Sequence, residues 1–322
     1  MADNDRPMNM VGRYGAGTHI RGKLAHGEPM SRHTSWRVGG PADCFYVPAD
    51  VEDLAAFLRH VPPDEPLYWV GLGSNLLIRD GGIRGTVIMI SGVLAELEVR
   101  PGNSMIAGAG VACARVARFA AANGLSGIEY LAGIPGTMGG ALAMNAGAHG
   151  REIWGQVESV TMIDRSGKLS ERAAGGFKVG YRSVVVPDGH WFVRAVLRLE
   201  PDPAGEAPGR IREFLAARTR SQPTGKSSCG SVFVNPPGDF AGRLIDACDL
   251  KGIRVGKASV SEKHANFIIN DGGASAADIE GLITLVRDRV QEKYGIRLET
   301  EVRIVGEQGL GDGNEHGHAG AH

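Results

Sequence analysis

Much of what usually betrays a function in composition is missing from this sequence. The four cysteines, Cys44, Cys113, Cys229 and Cys248, lie far apart, and no pair has Cys-x-x-Cys or other metal-ligand spacing. This excludes a zinc ribbon or a disulfide scaffold and leaves free thiols in a reducing compartment. No sign of charge dominates: 35 Lys and Arg against 36 Asp and Glu give a formal net charge of −1. A polyanion-binding surface is therefore not indicated, and no nucleic-acid partner is expected. No apolar run approaches the roughly 18 residues of a membrane span. The opening stretch Met1–Pro29 is polar and lacks the basic-then-apolar order of a secretory leader. These absences together imply a soluble, cytoplasmic protein with no membrane partner; a monomer or weak homo-oligomer is expected.

Glycine, by contrast, is abundant. Its 48 residues are about twice the usual share. Because glycine is costly inside regular structure, such an excess marks tight turns and places where backbone approaches a ligand closely. The 322 residues suit two or three domains, and a hydrophobic content of 43 % is enough to build their cores.

Apolar patterning gives a mixture of strands and helices. Pro66–Val70 and Thr86–Ile90 read as short buried strands, and Trp191–Leu199 as another. Val157–Asp164 and Lys168–Arg172 flank Arg165-Ser166-Gly167, a hairpin signal. Ala112–Asn123 is an amphipathic helix stopped by Gly124. Helices are also expected at about Arg210–Arg218 and Asp239–Asp249. The clearest helix begins at Ser275, a candidate N-cap with Asp278 three residues on, and buries Ile279, Leu282, Ile283, Val286 and Val290 before Gly295. Leu298–Ile304 alternates apolar and charged residues and reads as a half-exposed strand. Asp202–Gly209, with two prolines and two glycines, reads as the main linker. The expected organisation is a flexible segment 1–30, a domain 31–201, the linker 202–209, a second domain 210–305 and a disordered tail 306–322. That tail carries His316, His318 and His322, which are read as solvated, so no metal site is expected.

Two glycine-rich loops stand out. Gly71-Leu-Gly-Ser-Asn75 follows a strand and can either cradle phosphate with backbone N–H groups or simply turn one strand into the next. A Rossmann fingerprint needs a third glycine three residues after the second, and Leu76 stands there. No Gly-Lys-Ser/Thr element exists, which excludes a P-loop. The second loop, Gly133-Ile-Pro-Gly-Thr-Met-Gly-Gly140, continues to Asn145-Ala-Gly147. Its density of glycine around one proline makes a rigid surface poor in side chains, suited to a large ligand lying against bare backbone.

With these loops in view, the chain resembles the UDP-N-acetylenolpyruvoylglucosamine reductases, the MurB family. The matching segments are Thr34–Ala42, Gly71–Leu77, Gly133–Gly147, Tyr181-Arg182, Gly230–Pro236, Ser261–Asn266 and Leu298–Arg303, in the family's order. The resemblance implies an α+β chain: an FAD-binding fold of the vanillyl-alcohol-oxidase (PCMH) type in two lobes, with a C-terminal α+β substrate domain. The form resembles the shorter type, without an extra tyrosine-bearing loop. It implies non-covalent FAD, NADPH as electron donor, and UDP-N-acetylglucosamine enolpyruvate as substrate, reduced to UDP-N-acetylmuramate. Hydride passes from flavin N5 to the enolpyruvyl methylene carbon, and the resulting enolate is protonated.

The resemblance also assigns residues. Arg182 faces the substrate carboxylate, Ser231 donates the proton, and Glu301 assists in stabilising or protonating the enolate. Arg37 and Gly39, with Gly40, belong to the flavin lobe. Gly71, Gly73, Ser74, Asn75, Gly133, Ile134, Pro135, Gly136, Thr137, Gly139, Gly140, Asn145 and Gly147 line the cofactor. Tyr181, Asn235, Lys263, His264 and Asn266 line the substrate. From position alone, Arg182 and Glu301 also fit solvated surfaces, Ser231 a turn, and His264 a structural histidine. One departure stands out: the family shows Tyr-Arg-x-Ser, whereas Arg182 is followed directly by Ser183 and then Val184. Another flavoenzyme on the same fold would share the glycine loops but not the motifs Gly230–Pro236 and Leu298–Arg303, and retention of Arg182, Ser231 and Glu301 together argues against a non-catalytic nucleotide binder.

Overall fold

The computed structural model describes residues 20–309. In chain order its main elements are β1 (Lys23–Pro29), β2 (Pro41–Val47), α1 (Val51–Leu58), β3 (Leu67–Val70), β4 (Leu76–Ile78), β5 (Ile83–Met89), β6 (Leu97–Arg100), β7 (Ser104–Gly108) and α2 (Cys113–Ala122). There follow α3 (Met138–Ala143), α4 (Ala207–Ser221), α5 (Ala241–Asp246) and α6 (Ala276–Tyr294), interspersed with further strands. The chain is α+β, as expected. A four-stranded sheet has the order β1-β2-β5-β3, in which β3 and β5 run parallel with Val70 opposite Met89.

Contacts divide the chain into two units. The first comprises residues up to His26, Cys44–Ser74 and Gly85–Thr224; the second comprises Gly27–Asp43, Asn75–Arg84 and the residues from Gly225 onward. In the first, a five-stranded sheet is ordered Leu169–Ala173, Val157–Asp164, His190–Arg198, β7, β6. Its hairpin closes as the sequence indicates: Asp164 Oδ1 accepts from Ser166 N and Lys168 N, at 2.8 and 3.0 Å, and Gly167 takes φ +77°. Helix α2 stops where Gly124 adopts φ +68°. The core gathers Tyr46, Phe57, Val116, Leu131, Met138, Leu142, Val160 and Leu197.

In the second unit α6 has the expected capping box: Ser275 Oγ accepts from Asp278 N at 3.0 Å, and the Asp278 carboxylate accepts from Ser275 N at 3.1 Å. Asp80 adds to this cap by accepting from Ala276 N and Ala277 N, both at 2.9 Å. All five residues of the apolar stripe are buried, and Gly295 closes the helix at φ +70°. They pack with Trp36, Leu77, Phe233, Leu244 and Ile245.

Several expectations change. Residues 23–29 are a strand, not part of a flexible lead-in; the expectation for residues 1–19 lies outside the described residues. The half-exposed strand at Leu298–Ile304 is broken, with only Arg303–Val305 paired as a strand, parallel to β4. The interruption has a visible cause: Glu301 N and Val302 N both donate to Val232 O, at 2.8 and 3.4 Å, so one residue faces two. Asp202–Gly209 is not where the chain leaves the first unit, which extends to Thr224. Asp202 instead accepts from Glu206 N and Ala207 N, at 3.1 and 2.8 Å, and starts α4. Glu307 donates its N–H to Gly82 O at 2.8 Å, so the start of the expected tail is held; its three histidines lie outside the described residues. Among the described residues no helix is long and apolar enough to cross a membrane, and no three His, Cys, Asp or Glu side chains cluster as a metal site.

Candidate active site

The two glycine loops meet. Gly71–Asn75 connects β3 to β4, as the strand-to-strand reading has it. Gly133–Gly140 runs from the 3-10 turn Glu129–Gly133 into α3. Ser74 Oγ donates to Pro135 O at 2.9 Å. A Cβ on Gly71 would overlap Thr137 Oγ1, and one on Gly136, whose φ is +141°, would lie 3.2 Å from Ser74 Oγ. Glycine is thus required for the loops to touch. The second loop is pinned from behind: Cys113 N donates to Gly136 O, Met138 N to Val111 O and Gly139 N to Ala109 O, at 3.0, 2.8 and 2.8 Å.

Accessibility sorts the residues expected to line a cofactor. Gly71, Ser74, Asn75, Gly133, Ile134, Pro135, Gly140 and Gly147 keep surface, whereas Gly73, Gly136, Thr137 and Gly139 are buried and build the loops from within. Thr137 heads α3 without a side-chain cap, and its buried hydroxyl has no hydrogen-bond partner. Bare backbone closely apposed on two loops, with one unspent hydroxyl between them, fits a dinucleotide.

Asn145 is a correction. It is 0 % exposed, so its side chain offers a ligand no surface. Its Nδ2 donates to Glu152 Oε2 and Gly180 O at 2.7 and 2.9 Å, and its Oδ1 accepts from Trp154 N at 3.4 Å. Asn145 therefore tethers the hairpin that carries Arg182. That hairpin pairs Lys178–Gly180 with Ser183–Val185, and the pair Gly180↔Ser183 encloses a two-residue turn, Tyr181-Arg182. Ser183, the displaced serine, is what closes this turn. Tyr181 is exposed. Arg182 sits at φ +54° and donates from Nη2 to Gly147 O at 2.9 Å.

The second unit holds the other assigned residues. Ser231 follows Gly230, which turns the chain at φ +75°. On one side of the segment, Val232 N donates to Asn266 O at 2.9 Å, and the Asn266 side chain binds both Phe233 N and Phe233 O, at 2.9 and 2.8 Å. On the other, Val234 N donates to Glu299 O at 2.9 Å and Glu301 N to Val232 O at 2.8 Å. Ser231 and Glu301 thus stand on adjoining stretches of backbone. Asn75 secures the second: its Nδ2 donates to Glu301 O at 3.0 Å and its O accepts from Arg303 N at 3.0 Å. Asn266, expected to contact substrate, is buried and spends its amide on Phe233 N and O.

Among the softer assignments, Asn235 Oδ1 accepts from Ala241 N at 3.0 Å at the start of α5, and Lys263 is exposed. His264 Nδ1 accepts from Asn266 N at 3.3 Å, and burial lowers its pKa, so the ring is neutral near pH 7. Arg37 and Gly39 fall in the second unit, together with Asn75–Arg84. The small size of Gly39 answers Ile78, whose Cβ would be 2.9 Å from an added methyl group. Cys229 is buried, its thiol pushed up to about 12 by desolvation, and it donates to Leu76 O at 3.6 Å.

Comparison with known proteins matches residues 222–305 to a family described as UDP-N-acetylenolpyruvoylglucosamine reductase, C-terminal domain, and residues 42–171 to an FAD binding domain. The chain is 58 % identical over 286 residues to a UDP-N-acetylenolpyruvoylglucosamine reductase of Alkalilimnicola ehrlichii, covering 89 % of this chain and 96 % of that one. It is 57 % identical over 287 residues to the reductase of Methylococcus capsulatus, covering 89 % and 94 %. It also resembles the crystal structure of the MurB reductase from Thermus caldophilus, with TM-score 0.76 and 35 % identity over 88 % of this chain and 98 % of that one.

Proposed function

The chain belongs to the UDP-N-acetylenolpyruvoylglucosamine reductase family, and from that membership we propose that Arg182, Ser231 and Glu301 carry its chemistry. The activity is FAD-dependent reduction of UDP-N-acetylglucosamine enolpyruvate with NADPH, a step of peptidoglycan precursor synthesis. When bound, FAD supplies a two-electron carrier between NADPH and substrate. Loops Gly71–Asn75 and Gly133–Gly140 would hold it.

The remaining work falls to this chain's own side chains. The planar, permanently charged fork of Arg182 suits the substrate carboxylate, beside which negative charge builds up during the reaction. Ser231 holds a proton for the carbon next to that carboxylate. A serine hydroxyl is a weak acid, but an enolate carbon is a strong base, so transfer runs downhill once the hydroxyl is held in place. Glu301 assists by orienting that hydroxyl or balancing the charge. Tyr181, Asn235, Lys263 and His264 bind the nucleotide sugar, with Lys263 suited to its diphosphate. Asn145 and Asn266 act one step removed, fixing the backbone that bears Arg182 and Ser231. We also infer a cytoplasmic monomer or weak homo-oligomer, in keeping with four free thiols.

The observation that carries the assignment is the Glu301 N–H to Val232 O bond, which joins two motifs about 70 residues apart in the sequence at the residues the chemistry needs. The purified protein should be yellow and should oxidise NADPH only when the enolpyruvyl sugar nucleotide is added. A colourless protein that stays inactive after FAD is supplied would overturn the reading.

A smaller expectation concerns the loops. Gly71→Ala drives a methyl group against Thr137 and should weaken FAD binding about 10- to 100-fold, as a contact loss of one to three kcal/mol would. The double variant Gly71→Ala with Thr137→Ala removes the clashing atoms and should recover most of the loss in a flavin-fluorescence titration. If the double variant binds as poorly as the single one, the loops are not held apart by that contact.

A further inference from the structure

Helix α4 lays two arginines against the turn Glu129–Gly133, and the structure treats them in opposite ways. Arg210, near the helix start, is compensated: its Nη2 and Nε reach Glu129 Oε1 at 2.8 and 3.0 Å, and its Nη1 reaches Glu206 at 2.9 Å. Arg218, two turns on, is half-buried and has no carboxylate partner among the described residues. Its Nε donates to Gln222 Oε1 at 3.0 Å and its Nη1 donates to the carbonyl of Gly133, where the second glycine loop begins. Desolvation alone lowers its pKa, with no neighbouring charge opposing it. A guanidinium taken out of water without an anion is costly and is seldom kept unless a ligand supplies the anion.

The loop has a matching deficiency. Gly133–Gly140 contains no cationic side chain. The first two N–H groups of α3, those of Met138 and Gly139, are already spent on Val111 and Ala109. A diphosphate lying on this loop would find bare backbone but no charge, except for the guanidinium that α4 delivers to its first residue.

The geometry points to Arg218 as the cation that binds the diphosphate of the flavin dinucleotide on the second glycine loop. This rests on the FAD reading above and adds a residue that the motifs of the sequence do not mark. The charged fork pairs with phosphate oxygens while the carbonyl of Gly133 holds its orientation.

The test uses deflavinated protein and its reconstitution. In Arg218→Gln, the Kd of FAD and the inhibition constant of ADP against FAD rebinding should each rise about 10- to 100-fold, the range of a lost charge-assisted contact. Riboflavin, which has no phosphate, should compete as well as before, within about twofold. Arg218→Lys should fall in between, and it keeps the experiment informative if the glutamine variant folds poorly. Equal weakening of FAD and riboflavin, or no change in either, would overturn the proposal. So would unchanged FAD binding with weaker binding of UDP to the flavin-loaded protein, which would assign Arg218 to the substrate's diphosphate. Wild-type protein that binds no FAD would instead defeat the function proposed above, so the two failures are distinguishable.

Discussion

Reoxidation of the reduced flavin by the enolpyruvyl substrate is expected to slow by about 100- to 10,000-fold in Ser231→Ala, the range a well-placed proton donor supplies. Flavin reduction by NADPH should stay within about twofold of wild type. The separation is expected because Ser231 is assigned to one half-reaction only. Removing its hydroxyl also leaves its frame standing: Val232 stays bonded to Asn266 O and to Glu301 N through its backbone. The nearby Cys229 does not take over as acid, because its thiol is buried and directed to Leu76 O. Stopped-flow absorbance of the flavin reads both steps on one sample. Equal slowing of the two would reduce Ser231 to a structural part and remove the proton-donor assignment.

How far the sequence disclosed this site depends on what each residue answers to. Helix α6 was legible because cap, stripe and terminal glycine all point the same way, and every one of them is met. The glycine loops were legible as a pair, because only glycine allows Gly71 to approach Thr137 and Gly136 to approach Ser74. The two asparagines were less transparent. Asn145 and Asn266 stand inside motifs that resemble ligand-binding ones, yet each spends its amide on backbone far along the chain, on Gly180 and Phe233. A motif gives the position of a polar side chain but not whether it faces a ligand or the peptide next to it. The strand expected at Leu298–Ile304 failed for a related reason: alternation shows which residues face inward, but the doubled bond to Val232 O depends on a partner segment about 70 residues away.

Arg218 was hidden by its setting. Helix α4 also carries Arg210, Arg212 and Arg220, so by pattern alone Arg218 belongs to a solvated basic face. Packing against Glu129–Gly133 separates it from Arg212 and Arg220, and the want of a carboxylate partner separates it from Arg210. The domain boundary was misplaced for the opposite reason. Asp202–Gly209 has the composition of a linker, but Pro203 and Gly205 here form a turn whose aspartate accepts from the first N–H groups of the next helix, Pro208 and Gly209 lie within that helix, and the chain reaches its second unit only after Thr224. Composition marks where the backbone bends and is silent on what packs around the bend.

Arg182 poses a conflict between stability and function, and Arg182→Gly resolves it into an observable inversion. The residue occupies the second position of a two-residue turn at φ +54°, a conformation that glycine adopts freely and a side-chain-bearing residue adopts at a cost of about 1 kcal/mol or more. Replacement by glycine relieves that cost but removes the bond from Nη2 to Gly147 O, worth about 1 kcal/mol, and the contact of the guanidinium with the exposed Tyr181 ring. The two nearly cancel, and Asn145 still tethers the turn through Gly180 O. The melting temperature of the FAD-loaded variant should therefore stay within a few degrees of wild type, while kcat falls by about 100- to 1,000-fold, the loss expected when a preorganised cation is taken from developing negative charge. Arg182→Lys should show the reverse balance. It keeps the strained backbone and a positive charge but loses the planar fork, so it should be the less stable of the two and the more active. A turn kept only for packing would give the opposite ranking, with the lysine variant more stable than the glycine variant and activity following the folded fraction in each. Differential scanning fluorimetry beside steady-state kinetics on the three proteins decides between them, and loss of several kcal/mol in Arg182→Gly would withdraw Arg182 from the chemistry and leave it a strut of the hairpin.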